Sequence, residues 1–232
     1  MPRLLHLETT AAVCGVALTE GEGRVVVLRE HEEANAHSRV LAPMIEAALA
    51  EAGWRVGDLD AVAVGAGPGS YTGLRIGAST AKGLCYAAGL PLLAVPTLEA
   101  LAGELARRHP AADSLVPLLD ARRMEVFTAA FARDGRVLIT PRALILDETH
   151  PFAELLANGC VAFGGSGAEK ALPLLGHKNA FVEISLVPRV AYGCPLAHKR
   201  FKINAFEDVA GFEPQYLKAV WTTVSKPRGP LS

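Results

Sequence analysis

The residues best placed to do chemistry are those of the turn Gly65-Ala66-Gly67-Pro68-Gly69-Ser70. It follows the apolar run Ala61-Val62-Ala63-Val64 and leads into a segment of helical spacing. A strand, a glycine-rich turn and a helix in that order can cradle phosphate on backbone N–H groups. Three specific motifs nearly fit and fail. A P-loop needs Gly-Lys-Ser/Thr ahead of the helix, whereas Lys82-Gly83 comes late and in reversed order. A dinucleotide fingerprint needs a third glycine where Ser70 stands and an acid further on, and no acid lies between Asp60 and Glu99. A nucleophile elbow needs a strand before its serine, which Gly77-Ala78-Ser79-Thr80-Ala81 lacks. Gly164-Gly165-Ser166-Gly167-Ala168 does follow a strand, but too little chain remains to supply the acid and histidine in order. None of His6, His31, His37, His109, His150, His177 and His198 has the His-x-x-x-His spacing of a metal pair, and no metal site is expected.

The elements that would hold these residues repeat. In the first half, strands are expected over 4–8, 13–19, 24–30 and 61–64, with a shorter one over 92–95. Helices are expected over 36–52, 72–88 and 97–108. The first carries Val40, Leu41, Met44, Ile45, Ala48 and Leu49 on one face, with Pro43 within it and Gly53 ending it. The second contains Gly73, Gly77 and Gly83, each costing a helix about 1 kcal/mol against alanine, so close packing must offset them. Leu74, Ala78, Ala81 and Cys85 form a narrow small seam on it, and Ser70 or Thr72 can cap it. In the second half, Leu115 to Asp120 answers Leu4 to Glu8, Gly135-Arg136-Val137 answers Gly23-Arg24-Val25, and Val161-Ala162-Phe163-Gly164 answers Val62-Ala63-Val64-Gly65. Two copies of βββαβα imply two similar α/β lobes, 1–110 and 111–225, with a loose tail over 226–232.

Composition narrows the classes. A net charge of −1 argues against a protein that grips nucleic acid alone. From Pro188 onward, Arg189, Lys199, Arg200, Lys202, Lys218, Lys226 and Arg228 outnumber Glu207, Asp208 and Glu213, which suggests a solvated face or a contribution to RNA contact within an assembly. No apolar run is long enough for a membrane span, and Glu8 interrupts the N-terminal apolar patch too early for a signal peptide. Cys14, Cys85, Cys160 and Cys194 are scattered without Cys-x-x-Cys, which reads as buried thiols in a reducing cytoplasm.

The run GPGSYTGLRIGASTAKGL over 67–84, with VPTLEALA over 95–102, closely resembles the TsaB (YeaZ) family. His37-Ser38-Arg39-Val40-Leu41-Ala42-Pro43, Asp120-Ala121-Arg122-Arg123-Met124-Glu125-Val126 and Pro214-Gln215-Tyr216-Leu217 extend the resemblance, which is weakest over 177–204. It implies the two-lobed fold of the actin-like, sugar-kinase and heat-shock-chaperone ATPase superfamily. In that superfamily an acid ending the first strand helps hold magnesium–ATP, which here would place nucleotide at Glu8, Thr9 and Thr10, with Gly164 and Gly165 from the second lobe. Glu8 stands where relatives carry aspartate, and its extra methylene would shift metal geometry. No cofactor is required, and ATP or ADP is the ligand such a site would take. Gly65, Gly67 and Gly69 are expected to serve backbone geometry first.

By the same resemblance the chain is a cytoplasmic, non-catalytic subunit of the machinery that makes threonylcarbamoyladenosine beside the tRNA anticodon. Its main partner would be the transferase TsaD, joined by the ATPase TsaE, with tRNA met only within the complex and a homodimer forming when TsaD is absent. The helices 36–52 and 72–88 would form the interface through Val40, Leu41, Met44, Leu74, Ala78, Ala81, Lys82 and Cys85. The rival reading is a stand-alone ATP-dependent enzyme of the same superfamily; no residue supports a peptidase.

Overall fold

The computed structural model describes residues 1–33, 35–147 and 150–218. The expected loose tail, 226–232, lies outside them, as do Lys226 and Arg228. In the first half, strands β1 (Arg3–Glu8), β2 (Cys14–Glu20), β3 (Arg24–His31), β4 (Ala61–Gly67) and β5 (Leu92–Pro96) form one sheet in the order β3-β2-β1-β4-β5. In the second half, β6 (Ser114–Asp120), β7 (Glu125–Ala132), β8 (Val137–Ile145), β9 (Val161–Gly164) and β10 (Ala180–Glu183) form another in the order β10-β9-β6-β7-β8. In each sheet the first three strands are antiparallel and the last two add in parallel, so the sequence repeat is a structural repeat and the fold is the expected two-sheet α/β layout. β1 and β4 are buried along most of their length because both faces of the sheet are covered.

The helices are α1 (His37–Ala52), α2 (Tyr71–Ala88), α3 (Thr97–Arg108), α4 (Ala153–Asn158), α5 (Ala168–Ala171) and α6 (Val190–Lys202). α1 keeps Pro43 inside its length and stops at Gly53, whose φ of 68° is the left-handed cap glycine favours. α2 starts where Ser70 Oγ accepts the Gly73 N–H at 3.2 Å. Alternation along β1 sends Leu5 and Leu7 to one face and Leu4, His6 and Glu8 to the other. On the first face, Leu41, Ile45, Ala78, Ala81 and Cys85 from α1 and α2 close the core. Each fully buried leucine contributes roughly 1.5–3 kcal/mol.

The opposite face of the first sheet is covered by α6, and α3 packs mainly on the second sheet while touching α6. These two helices thus cross between the halves. The segment after α6 also stays with the first sheet. Glu207 bridges to Leu92, Phe212 enters the core beneath α2, and Lys82 of α2 donates to the carbonyls of Ala210 and Phe212 at 2.9 and 3.1 Å.

Three sequence expectations change. Gly65, Ala66 and Gly67 belong to β4, not to the turn after it, because β4 continues to pair with Val95 and Pro96 of β5. Leu41, Leu74, Ala78, Ala81 and Cys85 are core rather than interface: the small seam lets α2 sit close on its own sheet. Lys82 is occupied by the chain's own carbonyls. Of the expected interface residues, Val40, Met44 and Lys82 remain partly open to solvent.

Candidate functional site

Glu8, Thr9 and Thr10 leave β1 in a tight turn that is buried on every side. The Glu8 carboxylate accepts the Thr10 N–H at 2.6 Å, and the Thr9 hydroxyl donates to the Gly73 carbonyl at 2.7 Å. The glycines of β4 and α2 make this possible. A Cβ on Gly73 would stand 1.9 Å from the Thr9 carbonyl oxygen, and one on Gly69 2.3 Å from that of Thr10. Gly77 faces the Thr9 side chain, Gly65 the Glu8 carboxylate, and Gly67 the backbone of Gln215. Thus the turn and α2 close directly onto the end of β1.

From the other side, Val190 and Gly193 of α6 cover Glu8, leaving a cavity of about 10 Å³. That is room for about one water. A nucleotide phosphate does not fit there, so Glu8, Thr9 and Thr10 as arranged do not form a magnesium–ATP site. Burial pushes the Glu8 carboxyl above its ordinary pKa, offset in part by the Thr9 and Thr10 hydrogen bonds. Gly164 and Gly165 are not brought to it; Leu105 and Leu186 stand against Gly164, and Gly165 lies on the Leu118 carbonyl. Ser166 of the second glycine-rich turn accepts the Asp120 N–H at 3.1 Å. No group of three or more His, Cys, Asp or Glu among the described residues could hold a metal ion.

α6 is fixed by a buried polar joint that spacing rules could not reveal. Thr19 Oγ1 lies 2.7 Å from His6 Nε2 and 2.7 Å from His198 Nε2. Burial, with a smaller effect from His198, lowers the His6 pKa to about 3; burial, with Lys202 adding to it, lowers that of His198. A histidine in the otherwise apolar run Leu4-Leu5-His6-Leu7 was the available signal, but its partner lies on the distant α6. His37 is also structural, bonding the Ala11 carbonyl at 3.0 Å.

The outward side of α2 differs from both faces named so far. Thr72, Ser79, Gly83 and Tyr86 are exposed and Ile76 half-buried, one stripe at helical spacing. Tyr86 is 88% exposed, and a Cβ on Gly83 would meet nothing within 4 Å.

The sequence pattern of the family described as TsaD: tRNA N6-adenosine threonylcarbamoyltransferase matches residues 31–186. The Escherichia coli tRNA threonylcarbamoyladenosine biosynthesis protein TsaB is 32% identical over 226 residues, which cover 93% of this chain and 94% of that one. The chain belongs to the TsaB family. The Haemophilus influenzae protein of the same name is 37% identical over 131 residues, and that match spans about half of its length, 54%. Among solved structures, YeaZ from Pseudomonas aeruginosa superposes with a TM-score of 0.80 at 28% identity, covering 94% of this chain and all of that one. This TsaB-family chain therefore shares its fold along nearly its whole length with a solved relative.

Proposed function

We propose that this chain takes part in tRNA threonylcarbamoyladenosine synthesis as a non-catalytic subunit that pairs with a TsaD-type transferase. The observation that carries the reading is the near full-length match to the E. coli protein named for that pathway. Two structural features support the non-catalytic part. The end of β1, where the superfamily resemblance would place nucleotide, is packed shut around Glu8. The outward face of α1 and α2 offers a docking surface in its place, through Val40, Met44, Ile76, Ser79, Gly83 and Tyr86. Gly83 costs α2 about 1 kcal/mol, and among the described residues no neighbour packs within 4 Å of where its Cβ would be to offset it. A partner helix lying close over Ser79 and Gly83 would do so. In the absence of the transferase the same face would pair two copies of this chain, and TsaE would join the assembled pair.

The test is reconstitution. Purified chain, TsaD, TsaE, threonylcarbamoyl-adenylate and unmodified tRNA should give modified tRNA, and omission of this chain should abolish it. The chain without TsaD should give none; robust transfer by it alone would refute the reading. Magnesium-dependent ATP turnover by the isolated chain would instead favour a stand-alone enzyme of the same fold.

A further inference from the structure

The sequence points to the basic C-terminal stretch for RNA contact, but the structure neutralises most of what it describes there. Arg189 pairs with Glu30 and Glu32, Arg200 with Glu99, Lys202 with Glu22 and Lys218 with Glu125. Cations without an ion pair stand elsewhere, on the loop between β6 and β7. Arg122 and Arg123 are exposed, and neither guanidinium makes a hydrogen bond or ion pair among the described residues, although Asp120 feels the Arg122 charge. Both have left-handed backbones, with φ of 70° and 50°. A non-glycine residue there costs roughly 1–2 kcal/mol, so the surrounding contacts must impose it.

Those contacts are plain. Asp120 Oδ1 accepts the Arg122 N–H at 2.6 Å. Lys170 Nζ donates to Asp120 at 2.5 Å, to the Arg123 carbonyl at 2.7 Å and to the Glu125 carbonyl at 2.9 Å. Lys218 Nζ donates to the Ala121 carbonyl at 3.1 Å. Two lysines thus hold the loop backbone while two arginines point into solvent. A loop held so tightly loses little entropy when it binds.

The segment that supplies Lys218 also carries aromatic surface to the same place. Gln215 N–H donates to the Ala66 carbonyl at 2.8 Å, at the end of β4. Tyr216 packs on Tyr71 at 5.2 Å between ring centroids, and the Arg75 guanidinium lies 5.1 Å from the Tyr71 ring. Both tyrosines are 40% exposed. Lys218 is three Cα-to-Cα steps on from Gln215, a span of at most about 11 Å. The tyrosine pair and the arginine loop are therefore neighbours across the two sheets. Of the charged groups gathered here, Arg75, Arg122, Arg123, Lys170 and Lys218 outnumber Asp120, Glu125 and Glu213.

We infer that this surface binds a single-stranded stretch of RNA, with phosphates on Arg122 and Arg123 and an unpaired base against Tyr71 and Tyr216. Fixed cations beside exposed rings are the combination that single strands use, since every base offers a face to stack. The inference deepens the proposed role in tRNA modification, and its test is kept separate from partner binding. A fluorescein-labelled RNA hairpin with an unpaired loop is titrated with the full chain alone, at low salt and across a salt series. Saturable binding is expected. Arg122→Gln with Arg123→Gln should weaken it and reduce the slope of log K against log salt by about 1.4, two phosphates' worth for a single strand. Lysine at both positions should restore the slope. Tyr216→Ala should weaken binding about tenfold with the slope unchanged. No binding by the wild type, an unchanged slope in the double variant, or stoichiometric displacement of the RNA by ADP or ATP each overturns the inference. Co-elution with TsaD is read on the same proteins. If the glutamine pair still co-elutes, loss of RNA binding belongs to this surface; if the wild type fails to co-elute, the proposed function fails and the RNA result stands by itself.

Discussion

Thr19→Val is the sharpest probe of how α6 is attached to the first sheet. Valine matches threonine in shape, so the substitution removes one hydroxyl and little else. That hydroxyl is fully buried and lies 2.7 Å from a ring nitrogen of each of His6 and His198. It has one proton to give, so one ring must accept it and the other must donate to the oxygen. With valine, both ring nitrogens lose their partner in a site sealed from water. A buried polar group left unpaired costs about 1–3 kcal/mol, so two cost about 2–6. The new methyl group recovers part of this, and a net loss of about 2–4 kcal/mol is expected. For a chain of this length that lowers the melting temperature by about 5–15 °C. Thr19→Ser is the control, because it keeps the hydroxyl and loses only a methyl group, about 1 kcal/mol. Urea unfolding at pH 7.5, followed by circular dichroism, should rank wild type above serine and serine above valine. A valine variant at least as stable as the serine variant would refute the account of the joint.

The same joint sets a pH dependence: His6 is held neutral with a pKa of about 3 against 6.5 when unfolded, so its contribution is complete above pH 6.5 and drains as pH falls toward 3. Between pH 8 and pH 5 that removes about 2 kcal/mol, and His6→Asn should flatten this part of the urea-midpoint profile. Glu8 works in the opposite sense, its raised pKa withdrawing stability as pH rises through it, so Glu8→Gln should raise the urea midpoint at pH 8 by more than at pH 5. Two glycines of α2 should respond with opposite signs in thermal melts. Gly73→Ala forces a Cβ to 1.9 Å from the Thr9 carbonyl and should leave little folded protein, whereas Gly83→Ala meets nothing and should gain about 1 kcal/mol. Gly83→Arg should leave a folded chain that no longer co-elutes with TsaD, while Ala78→Arg should fail to fold because Ala78 is core.

Much of the frame is legible in the sequence because its causes are local. Alternation, apolar runs and helical spacing give β1 to β6, β9 and the first three helices, and the Gly23/Gly135 and Glu8/Asp120 correspondences give the repeat. What was misread depends on partners distant in sequence. The seam Leu74, Ala78, Ala81 and Cys85 has the small side chains of a helix contact, and spacing alone cannot tell a sheet from another molecule as its occupant. Gly73 and Gly77 were rightly marked as needing close neighbours, but the neighbour, the Thr9 turn, is a long way back along the chain. α6 docks through His198 onto Thr19 and through Val190 onto Gly15, contacts with no periodic signature. The basic C-terminal stretch looked free because its carboxylate partners, Glu22, Glu30, Glu99 and Glu125, come from other elements.

The repeat also explains why the candidate chemistry moved from one half of the molecule to the other. β1 and β6 each end in an acid whose carboxylate accepts the N–H of the residue two places on, at 2.6 Å in both cases. Beyond that bond the turns diverge: Arg122 and Arg123 are left-handed, which Thr9 and Thr10 are not, and the two acids lie on different faces of their sheets, Glu8 toward α6 and Asp120 toward α5. Over Glu8 lie Val190 and Gly193 of α6, and burial raises its pKa. Asp120 is exposed, and Lys170 of α5 reaches it from the side. There burial still pushes the pKa upward, but Lys170, the Arg122 N–H and the Arg122 charge outweigh it and hold the carboxyl below its ordinary value. A charged acid can anchor Lys170, and Lys170 can then fix the carbonyls that aim Arg122 and Arg123 outward. Removing the charge with Asp120→Asn should loosen that loop and weaken RNA binding even though both arginines remain. The corresponding change at Glu8 should act on folding alone.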